Sequence, residues 1–144
     1  MTRVDFYVLP GTEIDARLAF VCRLAEKAQE RGQTVFVHAD EPSLLAHLDD
    51  VLWTFRPTAF VPHRLVSADE MTSTQSADPV HLSAGEPGPD RQVLINLALE
   101  VPAFFSRLER TLEVVDQDPA VRDAGRERYR FYQRRGYPLG HHRL

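Results

Sequence analysis

The chain has 144 residues, 43% hydrophobic and 26% charged, with 10 Pro, 7 Gly and one Cys. That length suits one domain whose core needs neither disulfide nor structural metal, and the lone Cys22 excludes a disulfide framework and any CxxC metal or redox site. A net charge of −4 argues against general nucleic-acid binding, and no apolar run approaches the roughly 20 residues that span a bilayer.

Val4 to Leu9 reads as a strand, ended by Pro10-Gly11. The opening stretch carries an acid among its apolar residues and lacks a signal-peptide layout, so a cytoplasmic protein is expected. Ile14, Leu18, Val21, Cys22, Leu24, Ala25 and Ala28 then recur at helical spacing. Cys22 sits on that helix as a small buried hydrophobe, and Gly32 suits the position just past the helix end. Thr34 to His38 is a short β-type run, as in a strand covered on both faces. Asp40-Glu-Pro-Ser opens a second helix, with Leu44, Leu45, Leu48, Val51 and Leu52 on one side.

Strand and helix alternating in this way predict a βαβ layout with a parallel core. Phe60-Val61-Pro62 reads as a third short strand, which Pro62 confines to an edge or an end. Residues 66–92 are rich in Ser, Thr, Asp, Pro and Gly and form a long connection, broken by a strand at Val80 to Leu82. Val93 to Leu97 is a core strand, Val101 to Phe105 a helical turn, and Thr111 to Val115 the final strand. The last helix runs from N-cap Asp118, with Pro119 at its first position, to Arg135. The expected fold is a three-layer α/β/α arrangement around a mostly parallel sheet, as one domain over residues 1–144.

Such a sheet makes nucleotide binding the default analogy, but Pro10-Gly-Thr-Glu-Ile-Asp15 contains no phosphate loop. Glu13 and Asp15 place negative charge where a phosphate would bind. No GxSxG elbow is present. His38 and Asp40 fall at the carboxyl end of a strand, where α/β sheets place their sites, yet two residues make no metal centre, and no cofactor is expected. His63 reads as a hydrogen-bonded structural residue, and His141-His142 as a solvated pair.

Two features ask for partners. The segment from Leu48 to His63 holds the only Trp, Trp53, followed by Phe55, Phe60 and two prolines including Pro62. It reads either as core under a loop or as a protein-binding patch anchored by Trp and Phe. The second feature is the last helix. Pro119 to Gly136 carries six Arg against Asp123 and Glu127, a net of +4 that leaves −8 for the rest of the chain. Arg122, Arg126, Arg130 and Arg134 recur every four residues as a ridge with no interleaved acid. Like charges at that spacing repel, and guanidinium groups suit bidentate capture of carboxylates. Arg126 and Tyr129 face the same way, framing a pocket with a cationic rim and an aromatic wall.

Together these features resemble the chi subunit family of bacterial DNA polymerase III holoenzyme. The resemblance is carried by Val4-Asp-Phe-Tyr-Val-Leu9, Leu48-Asp-Asp-Val-Leu-Trp53, Phe60-Val-Pro-His63, Leu94-Ile-Asn-Leu97, Glu113-Val-Val-Asp116, Arg126-Glu-Arg-Tyr-Arg-Phe-Tyr132 and Gly136-Tyr-Pro-Leu139, in order over essentially the whole chain. It implies a non-catalytic accessory subunit of the clamp-loader assembly with a nucleotide-binding-like fold. It further implies two partners: the acidic, Phe-terminated tail of single-stranded-DNA-binding protein, and the small psi subunit. Carried over by position, Arg126 and Tyr129 match the tail-binding helix, supported by Arg122 and Arg130. Trp53, Phe60 and Pro62 match the patch for psi and, in some relatives, a helicase-like repair protein. An apolar wall residue of the family's pocket is replaced by polar Gln117-Asp118, a role expected to pass to Val121.

Two other readings stay open on sequence alone. One is a small α/β enzyme, or a nucleotide- or metal-binding protein, using the strand ends near His38 and Asp40. The other is single-stranded DNA bound along the Arg ridge, which the body's charge of −8 opposes.

Overall fold

A computed structural model of the chain describes residues 1–55, 61–68 and 78–144. Within them the elements are β1 Arg3–Val8, α1 Ile14–Glu30, β2 Val35–His38, α2 Pro42–Thr54, β3 His63–Leu65, β4 Val80–Ser83, β5 Val93–Asn96, β6 Arg110–Val115, α3 Pro119–Arg134 and β7 Leu139–Arg143. The seven strands form one parallel sheet in the order β3-β4-β2-β5-β6-β1-β7.

The central strands are short and buried at every residue: Val-Phe-Val-His in β2, Val-His-Leu-Ser in β4, Val-Leu-Ile-Asn in β5. Such near-continuous apolar runs are what a parallel sheet covered on both faces demands. On one face, Leu18, Val21, Cys22 and Ala25 of α1 and Leu45, Leu48 and Leu52 of α2 pack on Val35, Val37, Leu82, Ile95, Leu112 and Val114. Burial there pushes the Cys22 thiol up to about 12, so it stays a protonated, inert core group. On the other face Val4, Phe6, Phe36, Leu94, Phe105 and Tyr132 form a second cluster under α3. The expected three-layer α/β fold is the observed one.

Polar contacts add to this apolar packing in fixing α3 to the sheet. Glu113 on β6, fully buried, accepts from Arg128 Nε at 2.9 Å, Tyr132 Oη at 2.8 Å and Asn96 Nδ2 at 3.1 Å. Arg128 also donates from Nη1 to the Leu99 carbonyl at 2.9 Å. Each buried charge thus meets an opposite charge and further hydrogen bonds, the condition under which such a group is tolerated. Gly136, at φ +75°, then turns the chain out of α3 toward the sheet.

Three expectations need correcting. Thr111 to Val115 is not the last strand, because β7 adds to β1 in parallel, Val4 opposite Leu139 through Val8 opposite Arg143. The segment lacks an apolar run because it is a sheet edge on which only Leu139 and Gly140 are half-buried and the last three residues are exposed. His141 and His142 lie on this strand and are exposed, as expected of a solvated pair, with His142 Nε2 3.1 Å from Asp5 Oδ1. The third strand starts at His63, just beyond Pro62, which has no N–H for a ladder. Last, Val101 to Phe104 is not helical; a single 3-10 turn spans Phe105–Arg107, opened by the Phe105 amide donating to the Pro102 carbonyl at 3.1 Å.

Candidate functional site

The start of α3 is built from its own sequence. The Asp118 carboxylate accepts the Val121 amide at 3.3 Å, Pro119 occupies the first turn, and Asp116 Oδ1 accepts the Asp118 amide at 3.0 Å. These caps satisfy amides that a helix leaves unpaired and hold α3 over the carboxyl ends of β1 and β6. Gly125, Arg128 and Tyr132 face the sheet, so the neighbouring face of the helix overhangs a gap.

That gap is a cleft of about 700 Å³. Arg122, Arg126, Tyr129 and Arg130 form its helix wall, Phe6, Val8 and Val115 its apolar floor, and His141 and Arg143 of β7 the far side. Tyr129 is held edge-on by Phe6, ring centres 5.2 Å apart, and by His141 at 6.2 Å. Asp116 is the one carboxylate among the described lining residues, and it is 2% exposed and engaged with the backbone. The cleft therefore presents guanidinium donors around an aromatic and aliphatic surface. Such a lining is chemically suited to a carboxylate-bearing group with an apolar neighbour.

The ridge is less bare than its spacing implies. Arg122 Nε lies 3.2 Å and Arg126 Nη1 3.8 Å from Asp123 Oδ1, while Glu127 contacts Arg130. Acids three positions from an Arg lie on the adjoining helix surface and reach over. Arg126 keeps most of its side chain, 63%, in solvent, where such pairs are weak and open to exchange. Arg143 makes no ion pair among the described residues. Sequence reasoning missed both Arg143 and His141, although the alternation of Leu139, His141 and Arg143 would have put them on one strand face. Val121, expected as an apolar wall, is not on the cleft. Val8 and Val115 fill that role from the sheet, because β1 and β6 bring them under the helix.

Trp53, at the end of α2, is 54% exposed, its ring 4.6 Å from that of His63. The His63 ring lies between the Val61 carbonyl, 2.7 Å from Nδ1, and Asp49 Oδ1, 2.9 Å from Nε2, which fixes it as a plinth beneath the indole. Pro62 is half-buried beside it, and Phe60 lies outside the described residues. Trp53 is thus an exposed aromatic on a rigid support, the kind of residue that anchors interfaces.

His38 and Asp40 line a separate cleft of about 410 Å³ at the strand ends with Glu86, Glu100 and Phe104. His38 Nδ1 lies 3.0 Å from the Ser83 carbonyl and Nε2 3.7 Å from Asp40. Burial lowers the His38 pKa. Among the described residues no three His, Cys, Asp or Glu side chains are grouped to hold a metal.

Comparison with known proteins adds a family. Residues 1–140 match the family model described as DNA polymerase III chi subunit, HolC. DNA polymerase III subunit chi of Pseudomonas aeruginosa is 47% identical over 145 residues, spanning 100% of this chain and 98% of that protein. That of Haemophilus influenzae is 29% identical over 137 residues, spanning 94% and 92%. Among solved structures, the crystal structure of T4 UvsW superposes with a TM-score of 0.70 over 99% of this chain and 41% of its own, at 9% identity. That last likeness concerns the fold alone.

Proposed function

The chain belongs to the DNA polymerase III chi subunit family, and on that premise we propose that it acts by binding rather than by catalysis. In this reading it links the acidic C-terminal tail of single-stranded-DNA-binding protein, held beside α3, to the clamp loader through psi, held at Trp53 and Pro62. The observation that carries it is the cleft in which Arg122, Arg126, Arg130 and Arg143 surround Tyr129 over the floor of Phe6, Val8 and Val115.

The chemistry follows from the geometry. A terminal carboxylate exchanges with Asp123 for the exposed guanidinium of Arg126, gaining a bidentate partner. The tail's last Phe side chain lies against Tyr129, whose ring is already fixed by Phe6 and His141. Little of the ordering cost then falls on the protein side. The peptide itself is ordered on binding, so the affinity expected of one tail is on the order of micromolar. Several tails on one oligomeric partner raise it by effective concentration. The cleft and Trp53 involve different elements, α3 with β7 against α2 with β3, so both partners are held at once.

The test is calorimetric titration with a peptide ending in Asp-Phe-Pro-Phe, on the wild type and on Arg126→Ala. Micromolar binding that weakens with salt and is lost in the variant supports the reading. Absence of binding by the wild type refutes it.

A further inference from the structure

On the face opposite α3, α1 packs on β2, β5 and β6 and α2 on β3 and β4, so among the described residues no helix is centred on the margin formed by β1 and β7. Polar groups cover it instead. The Asp5 carboxylate, fully buried, accepts from Arg3 Nε at 3.2 Å and Arg110 Nε at 3.0 Å, with His142 Nε2 at 3.1 Å. Beside it Tyr7 stacks on His142 at 4.7 Å, and Phe20 of α1 leans on Tyr7 at 5.4 Å.

Between this cover and α1 lies a cleft of about 510 Å³. Arg23, Lys27 and Arg31 line its helix side, the half-buried Phe20 and Leu24 supply apolar surface, and no Asp or Glu is among its described lining residues. None of the three cations makes an ion pair with a described residue. The α1 dipole favours cations in the last turn, which accounts for Lys27 and Arg31. It does not account for Arg23 one turn earlier, or for the half-buried Phe20 and Leu24 beside them.

Spacing and stacking define the ligand. Cations four residues apart on a helix are about 6 Å apart along its axis, close to the roughly 6.6–6.8 Å between alternate side chains of an extended chain. Single-stranded nucleic acid needs open aromatic faces for its bases. Here Tyr7 already has His142 against its ring and Phe20 tilted over it. We propose that this second basic cleft docks a short acidic segment of a partner protein. Carboxylates on alternate residues of that segment meet Arg23, Lys27 and Arg31, and one apolar side chain rests on Phe20 and Leu24. The site is independent of the α3 cleft, on the other side of the sheet.

The test uses ¹⁵N-labelled full-length protein and the amidated peptide Glu-Ser-Glu-Ser-Glu-Leu-Leu, which lacks the free terminal carboxylate that the α3 cleft is proposed to read. The amides of Phe20 through Arg31 and of Leu112 should shift on titration. Binding should weaken about fivefold to tenfold in Arg23→Ser/Lys27→Ser and stay unchanged in Arg126→Ala. Any of four results overturns the proposal: no shifts at millimolar peptide, shifts confined to the α3 cleft, equal response to a peptide with Ser replacing both Leu, or a thymidine octanucleotide moving these amides at physiological salt when the peptide does not.

Discussion

Arg128 and Glu113 form a fully internal ion pair, Nε to Oε1 at 2.9 Å, with the two side chains 3% and 0% exposed. Two residues away on the same helix, Arg126 is 63% exposed. One arginine holds α3 to the sheet and the other lines the cleft proposed to take the tail, and their substitutions should separate stability from binding. Removing one member of a buried pair leaves the other charge uncompensated. Arg128→Ala is therefore expected to cost about 3–5 kcal/mol, whereas Arg126→Ala should stay within about 0.5 kcal/mol of the wild type. Urea unfolding of the two variants checks this; equal stabilities would contradict it.

Gly125 lets α3 approach β6. A Cβ built there would lie 2.8 Å from Val115 Cγ1, and a β-branched side chain in a strand has little freedom to move aside. Ala is the better helix former by about 1 kcal/mol, yet overpacking here should make Gly125→Ala destabilising by about 1–3 kcal/mol. Because Gly125 and Val115 also line the cleft, adding Val115→Ala should restore much of the stability. Thermal unfolding of the single and double variants decides it.

His38 and His81 are both buried, and burial lowers the pKa of each. For His81 the positive charge of Arg91 adds to this effect. Folding therefore holds both rings neutral, while the unfolded chain protonates them near their ordinary pKa of about 6.5. Their contribution is complete above that value and is lost as pH falls below it toward the folded-state pKa. The urea midpoint should thus decline between about pH 7.5 and 5.5. In His38→Phe/His81→Phe that segment of the profile should be flatter, whatever the absolute stability of the variant.

Arg143 and Arg130 line the same cleft but start from different states. Glu127 already engages Arg130, whereas Arg143 has no ion pair among the described residues. A carboxylate ligand has no local pair to break at Arg143. Arg143→Ala should therefore weaken binding of the acidic tail peptide by about fivefold to tenfold, and Arg130→Ala by less. Anisotropy titrations of the two variants at equal ionic strength make the comparison; the reverse order would contradict it.

The helix half of this cleft was legible in the sequence because four-residue recurrence is a local signal: Arg122, Arg126, Arg130 and Tyr129 share a face from spacing alone. The strand half was not. Leu139–Arg143 is a polar edge strand whose partner, β1, lies more than 130 residues earlier, and no local pattern announces such a pairing. Arg128 is offset from the ridge by spacing, but only the position of Glu113 makes it internal. The order of the layers was readable from the apolar runs of β2 and β5. The start of the third strand was not, because Val61 and Pro62 look like strand residues while the ladder begins only at His63.

The central claim is that the Phe end of an acidic tail lies against Tyr129. The most direct measurement replaces the last Phe of an Asp-Phe-Pro-Phe peptide by benzoylphenylalanine, irradiates the complex and maps the cross-link by mass spectrometry. The account predicts attachment among Phe6, Val115, Tyr129 and His141, abolished in Arg126→Ala. Attachment at Trp53 or along α1, or a yield unchanged in that variant, would contradict it.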